Sequence, residues 1–356
     1  MSSILSAGLQ GKLRDIIDEY TSGGTDRKIP GLVYLAFRND GQPIFQHCSG
    51  TRGMSSQDLM STDTIFYLAS FTKVATSAAC MQLVERGLLH LDNADEVERI
   101  CPELRDVKVL TRTANGGFEL VEKKKKITLR MLLNHTAGFG YAFEDDKLAE
   151  YTRPVGADDF SGEAVEIANR PLVNQPGEKF QYGISMDWVG VMIERVSGKS
   201  LDEYFKTNIF QPLGLISLLL NDGIDKVTGV RLLKPETVQD MFTDQISDKP
   251  RFSNVCVPVA KPELANPTPL TPMPDDHTEG WGMSFSISHF PSETGRAPGT
   301  ASWEGLANLF WFADRKNNIG GIIASQIIPY GDRLVLECSD RVETEIYKAL
   351  QQVDGS

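Results

Sequence analysis

Strand-forming sequence is confined to the two ends of this chain, and that segregation limits the fold more than any other feature. Near the N-terminus, Gly31 to Phe37 and Pro43 to Cys48 are apolar, aromatic runs separated by Asn39-Asp40-Gly41, which predicts a hairpin. Strand patterns return at Gly282 to Ser288, Leu306 to Ala313 and Ile319 to Ile328, with Arg315-Lys316-Asn317-Asn318 as the turn between the last two. Between them the pattern is helical and looped. Phe71 to Arg86 reads as a helix closed by Gly87, and amphipathic spacing over Met1 to Tyr20 and Leu334 to Gln351 predicts a helix at each end. Strands from both termini around a helical middle imply one antiparallel sheet with helices segregated from it, an α+β architecture rather than a βαβ repeat. The expected organisation is a single catalytic domain. Its sheet lobe takes in about residues 1–69 and 280–356, and its helical lobe about 70–279.

Composition removes several classes of function. With 36 Lys+Arg against 48 Asp+Glu the net charge is -12, so the average field repels nucleic acid. The one dense basic run, Glu122-Lys123-Lys124-Lys125-Lys126, reads as a solvated loop or hairpin arm. No run of apolar residues is long enough to cross a membrane, and Met1 to Tyr20 lacks the apolar stretch of a secretory signal. Five scattered cysteines, Cys48, Cys80, Cys101, Cys256 and Cys338, form no CxxC pair and have no histidine at ligand spacing. Neither a disulfide framework nor a metal site is expected, and a reducing, cytoplasmic location is.

Ser70-Phe71-Thr72-Lys73 is an S-x-x-K tetrad. A serine hydroxyl becomes a useful nucleophile when a nearby base takes its proton, and positions i and i+3 share one helix face. For Lys73 to be that base its amine must be largely neutral, which requires a depressed pKa. Roughly one such tetrad is expected by chance in a chain of this composition, so context decides. Ser70 follows the apolar run Ile65 to Ala69 and opens a long helical pattern. Tyr182, in Pro176-Gly177-Glu178-Lys179-Phe180-Gln181-Tyr182, precedes the helical run Trp188 to Val196 and is a candidate proton relay. Ser302-Trp303-Glu304-Gly305-Leu306 precedes an edge-like strand, whose N–H beside that of Ser70 would make an oxyanion hole. No G-x-S-x-G elbow exists, which excludes the α/β-hydrolase route.

Together, Ser70-x-x-Lys73, Leu132-Leu133-Asn134-His135-Thr136-Ala137-Gly138, Pro176-Gly177-x-x-Phe180-x-Tyr182, Gly280-Trp281-Gly282 and Trp303-x-Gly305 resemble, in order and spacing, the serine β-lactamase and penicillin-binding-protein superfamily. The likeness spans Ile29 to Tyr347 and is closer to class VIII carboxylesterases and fungal transesterases. It implies the β-lactamase/transpeptidase-like fold, with Ser70 as the acylated nucleophile, Lys73 as its base and Tyr182 as the proton shuttle. It puts Trp303 and Gly305 in the third motif and makes the N–H groups of Ser70 and Leu306 the oxyanion hole. Trp303 stands where many members carry a cation, so an uncharged ester or thioester suits that corner. His135 falls in a phrase that marks a structural loop in this superfamily.

The resemblance implies an acyltransferase or esterase working through acyl-Ser70 without metal or organic cofactor. It moves a small acyl group to or from a secondary-metabolite alcohol. Its partners are a small-molecule ester or acyl thioester, a carrier-protein-bound acyl group among the donors, and neither nucleic acid nor membrane. Two rivals are a carboxylesterase of small esters and a catalytically impaired homologue. One departure bears on that second rival. Between Pro212-Leu213-Gly214-Leu215 and Ser217-Leu218-Leu219-Leu220 the chain runs straight from one helix-end signature to a later one, so a pocket-walling segment near 215–217 is expected to be missing.

Overall fold

The computed structural model describes residues 5–23, 26–154, 156–210, 215–249, 251–252, 259–268, 270, 274 and 276–354. Cys256 and Pro212-Leu213-Gly214 lie outside the described residues. Ten strands are present among the described residues. They are β1 (Gly31–Arg38), β2 (Pro43–Gly50), β3 (Val109–Arg112), β4 (Phe118–Val121), β5 (Arg251–Phe252), β6 (Thr278–Trp281), β7 (Ser286–Ser288), β8 (Ala301–Gly305), β9 (Leu309–Asp314) and β10 (Ile319–Ala324). Eight form one sheet in the order β2-β1-β10-β9-β8-β7-β6-β5, every pair antiparallel. The N-terminal hairpin joins the C-terminal strands through β1 and β10, with Val33 opposite Ala324 and Phe37 opposite Gly320. The sheet assembled from both ends of the chain is therefore present, and β3 with β4 adds a small separate hairpin that the sequence pattern did not reveal.

Alternation along the strands separates two cores. Leu32, Tyr34 and Ala36 of β1 pack with helix α1 (Ala7–Thr21) and the C-terminal helix Arg333–Asp354, through Leu13, Ile17, Val335, Val342 and Ile346. Phe37 of β1 and Trp311 and Ala313 of β9 face the helical lobe. At the centre of that lobe is α2 (Lys73–Glu85), in which every residue from Lys73 to Leu83 is buried, as expected of a helix apolar on all sides. Its polar groups find partners. Ser77 Oγ donates to the Met283 carbonyl at 2.8 Å, Gln82 Nε2 donates to the Asn208 carbonyl at 3.2 Å, and the Tyr204 hydroxyl donates to Gln82 Oε1 at 3.2 Å.

Three strand readings need correction. Gly282 to Ser288 is not one strand: β6 ends at Trp281 and a tight turn follows, with Ser284 at φ 80° and its hydroxyl donating to the Lys73 carbonyl at 3.1 Å. Ala301 to Gly305 is itself an interior strand rather than the approach to an edge, since β8 pairs with both β7 and β9 and sets Trp303 opposite Trp311. Leu306 to Asn308 form the turn between β8 and β9, with Asn308 at φ 58°. Three lysines of the basic run are paired locally. Lys123 and Lys126 lie against Glu98, Lys126 also against Asp95, and Lys124 against Glu178. After the junction, Leu215–Leu220 is a short helix whose Ile216, Leu218, Leu219 and Leu220 are buried.

Candidate active site

Ser70 lies in a 3₁₀ turn, Ala69–Thr72, that runs directly into α2. In a 3₁₀ turn residues i and i+3 eclipse, which stacks Lys73 under Ser70 more closely than an α-helical turn would. Lys73 Nζ donates to Ser70 Oγ at 3.0 Å. Ala69 adopts φ 46°, a left-handed conformation unfavourable for a residue with a Cβ, and it immediately precedes the candidate nucleophile. Ser70 is partly open to solvent whereas Lys73 is buried.

Two phenols meet the ammonium. Lys73 Nζ donates to Tyr141 Oη at 3.2 Å and sits 5.0 Å from the centre of the Tyr182 ring. Trp303 Nε1 donates to Tyr182 Oη at 3.1 Å, so β8 fixes the direction of that hydroxyl and leaves its own proton for another partner. Burial pulls the Lys73 ammonium down; the Tyr141 and Tyr182 phenols, once ionised, and Asp187 pull it up, and the net direction is then upward. Lys73 keeps its proton whenever a neighbouring phenol is ionised, so the ammonium and the phenols hold protons as one unit. Burial, by contrast, pushes the Tyr141 phenol up.

The aromatic wall behind this group is continuous. Trp281 stands 4.5 Å from Trp303 between ring centres, and His135 lies 4.7 Å from Tyr182 and 5.4 Å from Trp281. Both ring nitrogens of His135 are buried without hydrogen-bond partners, and burial, with Lys73 and Arg251 nearby, holds its pKa well below the usual range. It is a neutral ring packed under the site, in keeping with a structural loop. Gly305 closes the other side: a Cβ there would lie 2.3 Å from the Leu68 carbonyl oxygen, so only glycine lets β8 approach the turn that carries Ser70. Gly305→Ala must move the end of β8, and with it Leu306, away from Ser70. A loss of at least about tenfold in kcat/KM and roughly 1–3 kcal/mol in stability is expected, read by ester kinetics and thermal melts.

Ser70, Lys73, Tyr182 and Trp303 thus converge, and Gly305 with the adjoining Leu306 borders them. Sequence reasoning passed over Tyr141, although it stands three residues after the Asn134 to Gly138 phrase. It also passed over Arg251 and Glu144. Arg251 returns a cation to the neighbourhood of Trp303, its guanidinium carbon 5.7 Å from that ring, where the sequence left an uncharged corner. Burial pushes Glu144 up to about 7, against the opposing pull of Arg251 and Lys73. The folded state therefore holds a proton that the unfolded chain releases near pH 4.5, and stability declines as pH rises from there to about 7. Glu144→Gln should accordingly raise the melting temperature by a few degrees at pH 8, about 1–2 kcal/mol after solvent screening, and change it little at pH 4.

The segment leading to Ser70 exposes apolar side chains: Ile65 is 88% exposed, Leu59 72% and Tyr67 58%. Among the described residues no group of histidine, cysteine and carboxylate side chains is arranged to hold a metal, and no helix is long and apolar enough to cross a membrane.

A sheet built from both chain ends, covered on one face by terminal helices and on the other by a lobe centred on a Ser-x-x-Lys helix, is the architecture of the β-lactamase/transpeptidase-like proteins. Residues 13–240 match the family model described as Beta-lactamase, and the chain belongs to that family. It is 27% identical to monacolin J acid methylbutanoyltransferase of Aspergillus terreus, over 92% of this chain and 93% of that protein. It is 28% identical to lovastatin esterase of Penicillium rubens, over 90% and 95%. Both alignments run to 397 positions, more than the 356 residues here, so these relatives carry residues that this chain lacks. Among solved structures, simvastatin synthase from Aspergillus terreus superposes with a TM-score of 0.78 at 24% identity, over 98% of this chain and all of that one. A penicillin-binding-protein homologue from Caulobacter crescentus gives 0.67 at 15%, over 97% and 98%.

Proposed function

We propose that this protein is a serine acyltransferase or esterase that forms an acyl-Ser70 intermediate and passes a small acyl group to or from a secondary-metabolite alcohol. The observation that carries the reading is the Lys73 ammonium set between Ser70 Oγ at 3.0 Å and Tyr141 Oη at 3.2 Å, with Tyr182 over it. Ser70 Oγ attacks the acyl carbonyl while its proton passes to the lysine–phenol unit in the form that is one proton short, neutral amine with phenol or ammonium with phenolate. That unit then protonates the departing alcohol or thiol, and the cycle reverses when water or an acceptor hydroxyl attacks acyl-Ser70. The N–H groups of Ser70 and Leu306 are the oxyanion donors in this scheme, supported by the tight contact at Gly305. Two relatives support the substrate class, one named a methylbutanoyltransferase of monacolin J acid and the other a lovastatin esterase. The exposed apolar side chains of the segment before Ser70 suit a hydrophobic acceptor or acyl group. The donor is a small ester or acyl thioester, a carrier-protein-bound acyl group included, and the site of action is the cytoplasm.

The test is intact-protein mass spectrometry after mixing with p-nitrophenyl butyrate, with p-nitrophenol release followed in parallel. Acylation mapped to the Ser70 peptide supports the reading; no adduct and no turnover would support the impaired-homologue rival. Adding an alcohol acceptor then separates transfer from hydrolysis by the ester product formed.

A further inference from the structure

We propose that Asp244, in the loop after the helix Pro235–Met241, is a positioning residue: it fixes the Trp281 backbone and, through the Trp281 and Trp303 rings, the direction of the Tyr182 hydroxyl. The inference rests on the acyl-transfer reading for what Tyr182 does, and it gives the Gly280-Trp281-Gly282 motif a physical role.

Among the described residues β5 pairs with β6 only at Thr278 and Glu279, short of Trp281. On that side the Trp281 backbone is bonded instead by the corner Asp244-Gln245. Its N–H donates to Asp244 Oδ1 at 3.1 Å, and its carbonyl accepts from the Gln245 N–H at 2.8 Å. The N–H and C=O of one residue point to the same side of an antiparallel strand, so the corner takes the place of a neighbouring strand. The corner is itself held. Asp244 Oδ1 also accepts from the Ile246 N–H at 3.0 Å, Oδ2 lies 3.3 Å from His289 Nε2, and Gln245 Oε1 accepts from Arg130 Nη1 at 2.8 Å. The glycines flanking Trp281 make this approach possible. A Cβ on Gly280 would lie 2.5 Å from Asp244 Cγ, and one on Gly282 2.2 Å from the Met241 carbonyl oxygen.

From Trp281 the constraint reaches the reacting groups through two rings. Trp281 is fully buried, and it meets Trp303 edge-on, with 4.5 Å between ring centres and 82° between planes. Trp303 in turn donates to Tyr182 Oη at 3.1 Å, and Tyr182 covers Lys73, whose Nζ is 3.0 Å from Ser70 Oγ. A hydrogen bond weakens steeply with angle, so a small rotation of either indole misdirects the phenol. Without the carboxylate the buried Trp281 N–H loses its acceptor, an unfavourable state that β6 relieves by shifting. The bond from Trp281 Nε1 to the Leu133 carbonyl, at 3.4 Å, is too long to hold the ring by itself.

The acylation burst and an indole signal, read together, test this. Asp244→Ala should slow the burst from p-nitrophenyl butyrate about tenfold while burst amplitude and KM stay near those of the parent, and it should cost nothing further once Tyr182 is phenylalanine. A merely structural role would lower the amplitude, the share of competent protein, in every background. Asp244→Asn, which keeps an oxygen for the Trp281 N–H, should restore most of the rate. In protein carrying isotope-labelled tryptophan, the indole N–H resonance that disappears in Trp303→Phe is expected to move in Tyr182→Phe, and Asp244→Ala should move it the same way. Should Asp244→Ala fail to give a cooperative melt, Gly280→Ala takes its place, because the added Cβ displaces the carboxylate. A parent-like burst rate in the variant, a loss that multiplies with that of Tyr182→Phe, or no rescue by asparagine would each overturn the proposal. If the parent never acylates Ser70 but the resonance responds as described, the positioning stands and the acyl-transfer reading falls. Acylation of the parent with a resonance that Asp244→Ala leaves unmoved would do the reverse.

Discussion

Ser70→Ala should lower turnover of p-nitrophenyl butyrate by several powers of ten, on the order of 10⁴ or more, while the melting temperature moves by no more than a few degrees. The asymmetry follows from the position. Ser70 is only partly buried, and its Oγ accepts a hydrogen bond from Lys73, which retains Tyr141 as a partner when the hydroxyl is gone. Little structure depends on that oxygen, yet every step of an acyl-serine route does. Two other buried hydroxyls of the lobe lack a paired base: Ser77 is committed to the Met283 carbonyl, and Ser185 Oγ has no hydrogen-bond partner. Among the described residues Thr278 is the informative control. Its Oγ1 is 2.7 Å from His289 Nδ1, and Asp244 lies 3.3 Å from the other ring nitrogen. That hydroxyl–imidazole–carboxylate chain imitates a catalytic relay, but Asp244 also accepts the Trp281 N–H at 3.1 Å, and both Asp244 and His289 pack where a Cβ on Gly280 would be. It secures β6. Thr278→Val should therefore leave Ser70 acylation in place, and an adduct that persists in Ser70→Ala but vanishes in Thr278→Val would transfer the nucleophile's role to Thr278.

The features readable from sequence were those that local pattern writes directly. Alternation and the Asn39-Asp40-Gly41 turn announced β1 and β2, and helical spacing announced α2 and the two terminal helices. Order of motifs picked out Ser70, Lys73, Tyr182 and Trp303, because each sits in a phrase with its own turn or helix signal. What escaped was set by long-range contact. Tyr141 acquires its importance only because it meets Lys73, 68 positions away in the chain. Arg251 stands on a two-residue strand too short for any period to show, and its relevance depends on how that strand lays it over Phe180, Trp281 and Trp303. Gly282 to Ser288 misled because a buried turn, clamped to α2 by Ser284 and Met283, is as apolar as a strand. The proton balance of Lys73 was hidden for a related reason. Burial argues for a depressed pKa, and only the structure reveals the Tyr141 and Tyr182 phenols and Asp187 that act against it.

That coupling sets the second large effect, a double-mutant cycle on Lys73 and Tyr182. If the ammonium and the phenol hold the Ser70 proton jointly, either substitution alone destroys the carrier. Lys73→Ala and Tyr182→Phe should each slow acylation by about 10²–10⁴, and the double variant should be little worse than the more damaging single one. The acylation rate, read from the p-nitrophenol burst, is the quantity to compare, since steady-state turnover mixes in deacylation. Two further variants locate the coupling. Trp303→Phe removes the indole N–H that fixes Tyr182 Oη at 3.1 Å while keeping a ring against Trp281, so it should cost about tenfold and cost nothing further once Tyr182 is phenylalanine. Tyr141→Phe deprives Lys73 of its second acceptor at 3.2 Å but leaves Ser70 and Tyr182 untouched, and the loss should be smaller than for Tyr182→Phe. If instead the Lys73 and Tyr182 losses multiply, the two groups act at different steps. Ser70 would then need a base other than the lysine–phenol unit that its 3.0 Å hydrogen bond to Lys73 supports.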